Sequence, residues 1–84
     1  MDAARQPMAA VFERSGAIFR LHVIVETTTT MTGAVEVSEV AVRLVAGDAD
    51  LRPDREVLGQ LTLVDGRRWH AYFVDGQFIL TNVG

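Results

Sequence analysis

Two Asp-Gly pairs, at Asp65 and Asp75, are the residues of this 84-residue chain whose repetition first suggests chemistry. Paired carboxylates carry out general acid and base catalysis in glycosidases, where the two groups lie about 5 to 10 Å apart. Here the aspartates stand at opposite ends of a predicted strand, 67–74, which spans about 25 Å at ~3.3 Å per residue. That separation excludes joint catalysis within one chain, so we interpret both pairs as hairpin turns.

The two histidines, His22 and His70, are the other side chains suited to proton transfer or metal binding. A zinc site needs three or four ligands, which usually occur at recognisable spacings. No His-x-His or His-x-x-x-His pair occurs, and the chain has no cysteine. The sequence therefore predicts no metal site within one chain.

The loop 46–55 carries carboxylates of the kind that bind calcium, at Asp48, Asp50 and Asp54. It does not fit the EF-hand pattern, because Arg52 and Pro53 occupy positions that need an oxygen ligand and a glycine. Gly59 also stands where the bidentate glutamate should be. We therefore predict that these aspartates form solvated turns.

The common nucleophiles and phosphate-binding residues are missing as well. Ser15 and Ser38 are the only serines, and neither lies in the Gly-x-Ser-x-Gly context of a hydrolase nucleophile. Lysine is absent, which leaves neither Schiff-base chemistry nor a phosphate-loop lysine. The sequence favours a protein that is not an enzyme and holds no cofactor.

The elements that must position any site are strands, because apolar residues recur with a period of two. The predicted strands are 9–14, 17–30, 35–45, 56–64, 67–74 and 77–83. We expect an all-β fold of about six antiparallel strands in a bent sheet, small barrel or sandwich. Residues 1–8 are expected to be a flexible lead-in, because Pro7 interrupts them, and residues 9–84 a single β domain.

The long hairpin 17–45 is the most unusual predicted element. Its first strand would extend about 45 Å at ~3.3 Å per residue, whereas a compact domain of this size is about 30 Å across. We expect the hairpin to bend and help close a small barrel; the alternative is a projecting tip. The tip residues Thr28, Thr30 and Met31 lie in an uncharged, β-prone stretch suited to pairing with another chain.

Hydrophobic residues change phase within the strand 35–45. Val35 and Val37 share one face, whereas Val40, Val42 and Leu44 have the opposite parity. One extra residue would restore the phase. We therefore predict a β-bulge near Ser38 and Glu39.

The two Asp-Gly turns set the register of the last three strands. A three-residue loop at 64–66, with Gly66 left-handed, pairs Leu61 with Trp69 and Val57 with Phe73. A two-residue loop at 75–76 then pairs Phe73 with Phe78. This register gives an apolar face comprising Leu61, Trp69, Ala71, Phe73, Phe78 and Leu80.

The reverse face of these strands is polar and carries Gln60, Thr62, Arg68, His70, Tyr72 and Thr81. A solvated outer face of an antiparallel sheet accounts for this composition. Tyrosine and arginine are also enriched among interface anchors, so the same face is a candidate partner-binding surface, with Arg68, His70 and Tyr72 at its centre.

Composition restricts the partners. The net charge is −3 and the eight basic residues, all arginines, are dispersed, so nucleic acid is an improbable partner. No signal peptide or apolar membrane span is visible, which predicts a cytoplasmic protein without membrane contact. A short chain without disulfides is only modestly stable, so we expect a homo-oligomer.

Together these observations favour a small non-catalytic protein-interaction module. One version is an acidic inhibitor or immunity-type protein of phage or bacterial origin that binds and blocks a larger protein. The other version is a self-assembling structural subunit. The alternative class is a small-molecule-binding β-barrel, or a barrel-type enzyme, with a pocket near His22 or His70.

Overall fold

The chain forms a closed barrel of six antiparallel strands in a computed structural model that describes residues 2–81. The strands are β1 (Asp2–Arg14), β2 (Ala17–Thr32), β3 (Val35–Gly47), β4 (Asp54–Leu63), β5 (Arg68–Val74) and β6 (Gln77–Thr81). Around the barrel they run in the order β1-β2-β3-β6-β5-β4. This confirms the predicted all-β fold as a small barrel. The described residues contain no helix that could cross a membrane.

Period-two alternation fills the barrel with apolar side chains. The buried core consists of Ala10, Phe12, Phe19, Leu21, Val23, Val25, Val42, Leu61, Leu63, Ala71, Phe73 and Phe78. Phe78 lies at its centre, with ring centroids 5.1 Å from Phe12 in an edge-on contact and 4.9 Å from Phe73. Aromatic pairs at these distances add to the stability that burial gives.

Glycine turns fix the register of the last three strands. Gly66 has a φ of 98°, and the Leu63 N–H donates to the carbonyl of Arg67 at 2.8 Å, which closes the three-residue loop. Asp75 and Gly76 have φ values of 49° and 80°, as the two-residue turn requires. The predicted pairs Leu61–Trp69 and Phe73–Phe78 are both confirmed.

One predicted pair is wrong. Phe73 lies opposite Asp54 rather than Val57, because β4 is irregular between Asp54 and Gly59. The Asp54 carboxylate accepts the backbone N–H groups of Glu56 and Val57 at 2.8 and 3.1 Å. These bonds turn the chain out of the ladder, as Asp side chains commonly do.

β1 is longer than the sequence indicated. It begins at Asp2, and its ladder with β2 is continuous from Asp2–Thr29 to Arg14–Ala17. Residues 2–8 therefore extend the strand instead of forming the expected lead-in, since the long β2 supplies a partner for each of them. The predicted strand end at 82–83 and the first residue of the lead-in lie outside the described residues.

The predicted bulge near Ser38 and Glu39 is also wrong. The β2–β3 register is continuous from Thr32–Val35 to Val23–Leu44, and the extra residue is Val45, opposite the step from His22 to Val23. Val35 and Val37 are therefore on the outer face. Unlike Val40, they do not need to face inward, because no core lies beneath this end of the hairpin.

The first three strands project beyond the barrel as a ribbon. Among described residues, β4 pairs with β1 only over Ala10–Glu13, and β6 pairs with β3 only at Val42 and Arg43. The ribbon carries the β2–β3 hairpin far past these contacts and gives the molecule extents of 44 × 25 × 23 Å. The hairpin thus projects, whereas the sequence favoured bending.

Candidate functional site

The polar residues of the last three strands share one outward face. Gln60 lies opposite His70, and Thr62 lies opposite Arg68. On the other side of β5, Thr81 lies opposite His70. We call the surface formed by Gln60, Thr62, Arg68, His70, Tyr72, Ile79 and Thr81 the β5 face.

The β5 face is partly ordered by its own contacts. Arg68 is exposed, whereas His70 and Tyr72 are half-buried. The Thr81 hydroxyl donates to the carbonyl of His70 at 2.9 Å, so it already has a partner. Ile79, opposite Tyr72, is 50% exposed and was not among the residues expected here. Ile79 and Thr81 are two residues apart on β6 and therefore share a face, and this spacing is the signal that could have identified Ile79.

The hairpin tip, residues 28–39, does not gather its predicted binding residues on one face. Thr28 and Thr30 point outward, and Met31 lies on the opposite face of the ribbon. The sequence pattern predicts inward positions for Val35 and Val37, but both lie on the same face as Thr28 and Thr30. Val37 lies opposite Thr30, and Val35 opposite Thr32.

The tip is unusually apolar for a projecting element. Met31, Val35 and Val37 are 60%, 62% and 43% exposed. Glu39 lies opposite Thr28 on the same outer face as the two valines, and Glu36 lies on the face of Met31. The outer face of the tip thus combines two exposed valines with one carboxylate.

The hairpin tip and the β5 face point in different directions. β3, which carries Val35 and Val37, is separated from β5 by β6, and β2 is separated from β5 by two strands in either direction. The tip also projects beyond the barrel, whereas the β5 face lies on its wall. The tip and the β5 face are therefore separate surfaces, with β6 between β3 and β5.

The free edge of the ribbon at β1 lacks one donor. The carbonyl of Ala9 accepts the N–H of Val64 at 3.0 Å, so odd-numbered residues of β1 direct their backbone groups away from β2. Pro7 has the same direction and no N–H. The edge beyond the β4 contact is thus interrupted at Pro7, a common protection against strand pairing.

An open groove lies on the outer wall between β2, β1 and β4. Its volume is about 390 Å³. We call it the His22 groove; its lining residues are Ala9, Ala10, Val11, Arg20, Leu21, His22, Thr62, Leu63 and Val64. The small side chains of β1 form its floor. Val64 is 72% exposed on the β4 side of the groove, and Arg20 is exposed on the β2 side.

The two ends of the barrel differ. At the ribbon end, a mouth of about 250 Å³ opens between β3 and β6, lined by Ser38, Val40, Trp69, Leu80 and Thr81. At the other end, the Arg14 guanidinium lies 5.8 Å from the ring centroid of Phe12 and 5.9 Å from that of Phe19. In the described part of the chain its buried Nη1 atom has no hydrogen-bond partner.

The aspartates that first suggested chemistry serve the turns. Arg67 donates through Nε to Asp65 Oδ2 at 2.8 Å and through its backbone N–H to Oδ1 at 3.1 Å. These bonds hold the pKa of the Asp65 carboxyl below its usual value. Asp75 instead meets Arg55 at 3.4 Å. The two carboxylates thus have separate partners and do not form a pair.

The loop aspartates and the histidines do not converge either. Asp48 accepts the N–H of Asp50 at 3.3 Å, an Asx-type turn. The backbone hydrogen bond from Glu56, and to a smaller extent that from Val57, lowers the pKa of the Asp54 carboxyl. His22 is on β2 and His70 on β5, across the barrel. Over residues 2–81, no three His, Cys, Asp or Glu side chains are placed to hold a metal ion.

Comparison with known proteins supplies no relative. No protein-family model, curated protein or solved structure matches this chain. Function must therefore be inferred from the surfaces described above.

Proposed function

We propose that the protein is a non-catalytic protein-interaction module whose binding element is the hairpin tip. The observation that supports this is the exposure of Met31, Val35 and Val37 on a ribbon that projects from the barrel. None of these side chains belongs to the described core. Because they contribute little to the fold when exposed to water, a partner that covers them explains their presence best.

The two versions predicted from the sequence both remain within this proposal. As an inhibitor or immunity-type protein of phage or bacterial origin, the module would insert its tip into a larger, often basic, cytoplasmic protein. As a structural subunit, it would join copies of itself. Because Glu36 and Glu39 give the tip negative charge, a salt-sensitive complex with a different protein marks the inhibitor version. Concentration-dependent association without any other protein marks the structural version.

Affinity capture with matched variants tests the proposal. The tip variant replaces Met31, Val35 and Val37 by serine. The comparison variant carries Arg68→Ala and Tyr72→Ala on the β5 face. We expect the wild-type protein and the comparison variant to bind a stoichiometric partner, either a different protein or a second copy, while the tip variant binds at least about tenfold more weakly.

Circular dichroism melting is the folding control for both variants. Tyr72 is half-buried, so a modest drop in melting temperature is expected only for the comparison variant. Loss of binding in the comparison variant, with the tip variant unaffected, would move the binding surface to the β5 face. Undiminished binding by both variants would reject both surfaces.

Small-molecule binding is the second candidate function, and the His22 groove is the observation that favours it. Its volume of about 390 Å³ lies at the lower end of ligand pockets. However, the groove is open along the barrel wall, whereas typical pockets bury 70–90% of a drug-sized ligand. The barrel interior, where an enclosed site would lie, is filled by the core.

A further inference from the structure

We propose that the partner of the hairpin tip is a second copy of this chain, and that the tip docks in the second copy's His22 groove. The inference rests on the proposed function, since it takes the tip as the binding element, and it names the partner. Two independent features of the surfaces support it: matching apolar residues and opposite charges.

The apolar parts are of similar kind and size. The outer face of the tip presents Val35 and Val37 one pleat apart on β3. The groove presents Val11, two residues from Ala9 on β1, and the exposed Val64, whose N–H donates to the carbonyl of Ala9. Its volume of about 390 Å³ holds a few small branched side chains rather than a second domain. Docking would remove both apolar surfaces from water.

The charges are complementary and similarly placed. Arg20 lies opposite Val11, at the rim of the groove, while Glu39 is one pleat from Val37 on the tip. Arg20 is the only Arg, Asp or Glu among the lining residues of the groove, and Glu39 is the carboxylate on the outer face of the tip. Among described residues, the ion pairs are Arg5–Glu26, Arg55–Asp75 and Arg67–Asp65, and none of them uses Arg20 or Glu39. Both charges are available to a partner.

The contact must form between molecules. Met31, at the tip, lies nine residues along β2 from His22, in the groove. That separation is about 30 Å at ~3.3 Å per residue. The tip therefore cannot reach the groove of its own chain.

Strand pairing between ribbons is a poorer way to join two copies. The β1 edge lacks the Pro7 donor, so a continuous ladder on that edge is broken. On the β3 edge, antiparallel pairing of two identical segments would place Glu36 and Glu39 of each copy near those of the other. Like charges at that distance oppose pairing.

Reversal of the two charges tests the contact. Arg20 and Glu39 are both exposed, so Arg20→Glu and Glu39→Arg should leave the fold intact, as circular dichroism would verify. Sedimentation velocity over a range of concentrations measures self-association. We expect the wild type to associate weakly, and each single variant to dissociate about tenfold more readily.

The restored pair is the decisive measurement. The doubly substituted chain, and an equimolar mixture of the two single variants, should both associate as the wild type does, because each recreates an opposite-charge contact. Glu36→Arg is the matched control, since Glu36 lies between the two valines along the chain but on the other face of the ribbon. It should associate normally.

A wild type that stays monomeric at all concentrations would overturn the inference, as would association that charge reversal leaves unchanged. Failure of the inference is distinguishable from failure of the proposed function. If the chain is monomeric but the serine variant of the tip loses a different captured protein, the tip is a binding element and its partner is not a second copy.

Discussion

Gly59 is the residue on which the closure of the barrel between β4 and β1 depends. A Cβ atom at this position would meet the Phe12 ring and would lie 2.7 Å from the carbonyl oxygen of Glu13. Phe12 is fully buried against Phe78, so its ring has little room to move. The absence of a side chain at 59 thus allows β4 to approach the core.

Gly59→Ala should therefore destabilise the protein. We expect a loss of about 1–3 kcal/mol in the free energy of unfolding, the usual cost of overpacking a core. Gly47→Ala is the matched comparison, because its Cβ would meet the Cδ2 end of the Leu21 side chain and would stay 3.3 Å from the carbonyl oxygen of Arg20. Its cost should be smaller, since a side-chain end can shift and a backbone carbonyl cannot. Urea unfolding of both variants measures the difference, and equal costs would contradict this account.

The ribbon is the element that distinguishes this barrel, and its exposed edge has to be kept from aggregating. On β1 the interruption is at Pro7, whose ring nitrogen faces away from β2. Arg5 adds a charge near the same edge and pairs with Glu26 at 3.0 Å. Charge and proline are the two devices that commonly protect an edge strand. The ribbon can thus project without offering a complete ladder at this edge.

Pro7→Val should restore the missing donor and speed up aggregation several-fold, with little change in melting temperature. The matched control is Gln6→Val, which adds the same side chain at an exposed position. The backbone N–H of residue 6 already points toward β2, so the edge gains no donor. Light scattering at elevated temperature compares the two variants. Equal aggregation would show that hydrophobicity, and not the edge donor, is responsible.

At the scale of the whole molecule, the barrel and the projecting tip have separate roles. Every residue of the core, and every half-buried side chain packed against it, lies outside 29–38. The longest dimension of 44 Å comes from the ribbon, whereas the other two, 25 and 23 Å, reflect the barrel. Stability should therefore depend on the barrel, and binding on the tip.

A shortened hairpin tests this division. In this variant, Asn-Gly replaces residues 29–38. Thr28 and Glu39, which are already paired across the hairpin, then flank a two-residue turn. We expect a change of no more than about 1 kcal/mol in stability, or roughly 4–8 °C in melting temperature. Binding through the tip should be lost. A thermal melt that loses its cooperativity would show instead that the ribbon is part of the folding unit.

The strands and the turns follow from local sequence patterns, because they depend on residues close together in the chain. Period-two alternation identified all six strands. Gly66 and Gly76 fixed their turns through positive φ, and with them the pairs that build the β5 face. The β5 face was therefore predictable apart from Ile79.

The point at which the long strands leave the barrel depends on contacts between distant strands, and this point determines the candidate site. The parity of Val35 and Val37 predicts a bulge only if both side chains face a core. The contacts of β4 with β1 end near Ala10, and those of β6 with β3 end near Val42. No core therefore lies beneath the tip. The His22 groove likewise requires β1 to lie beside β4. Such contacts join residues distant in the sequence, and no local pattern specifies them.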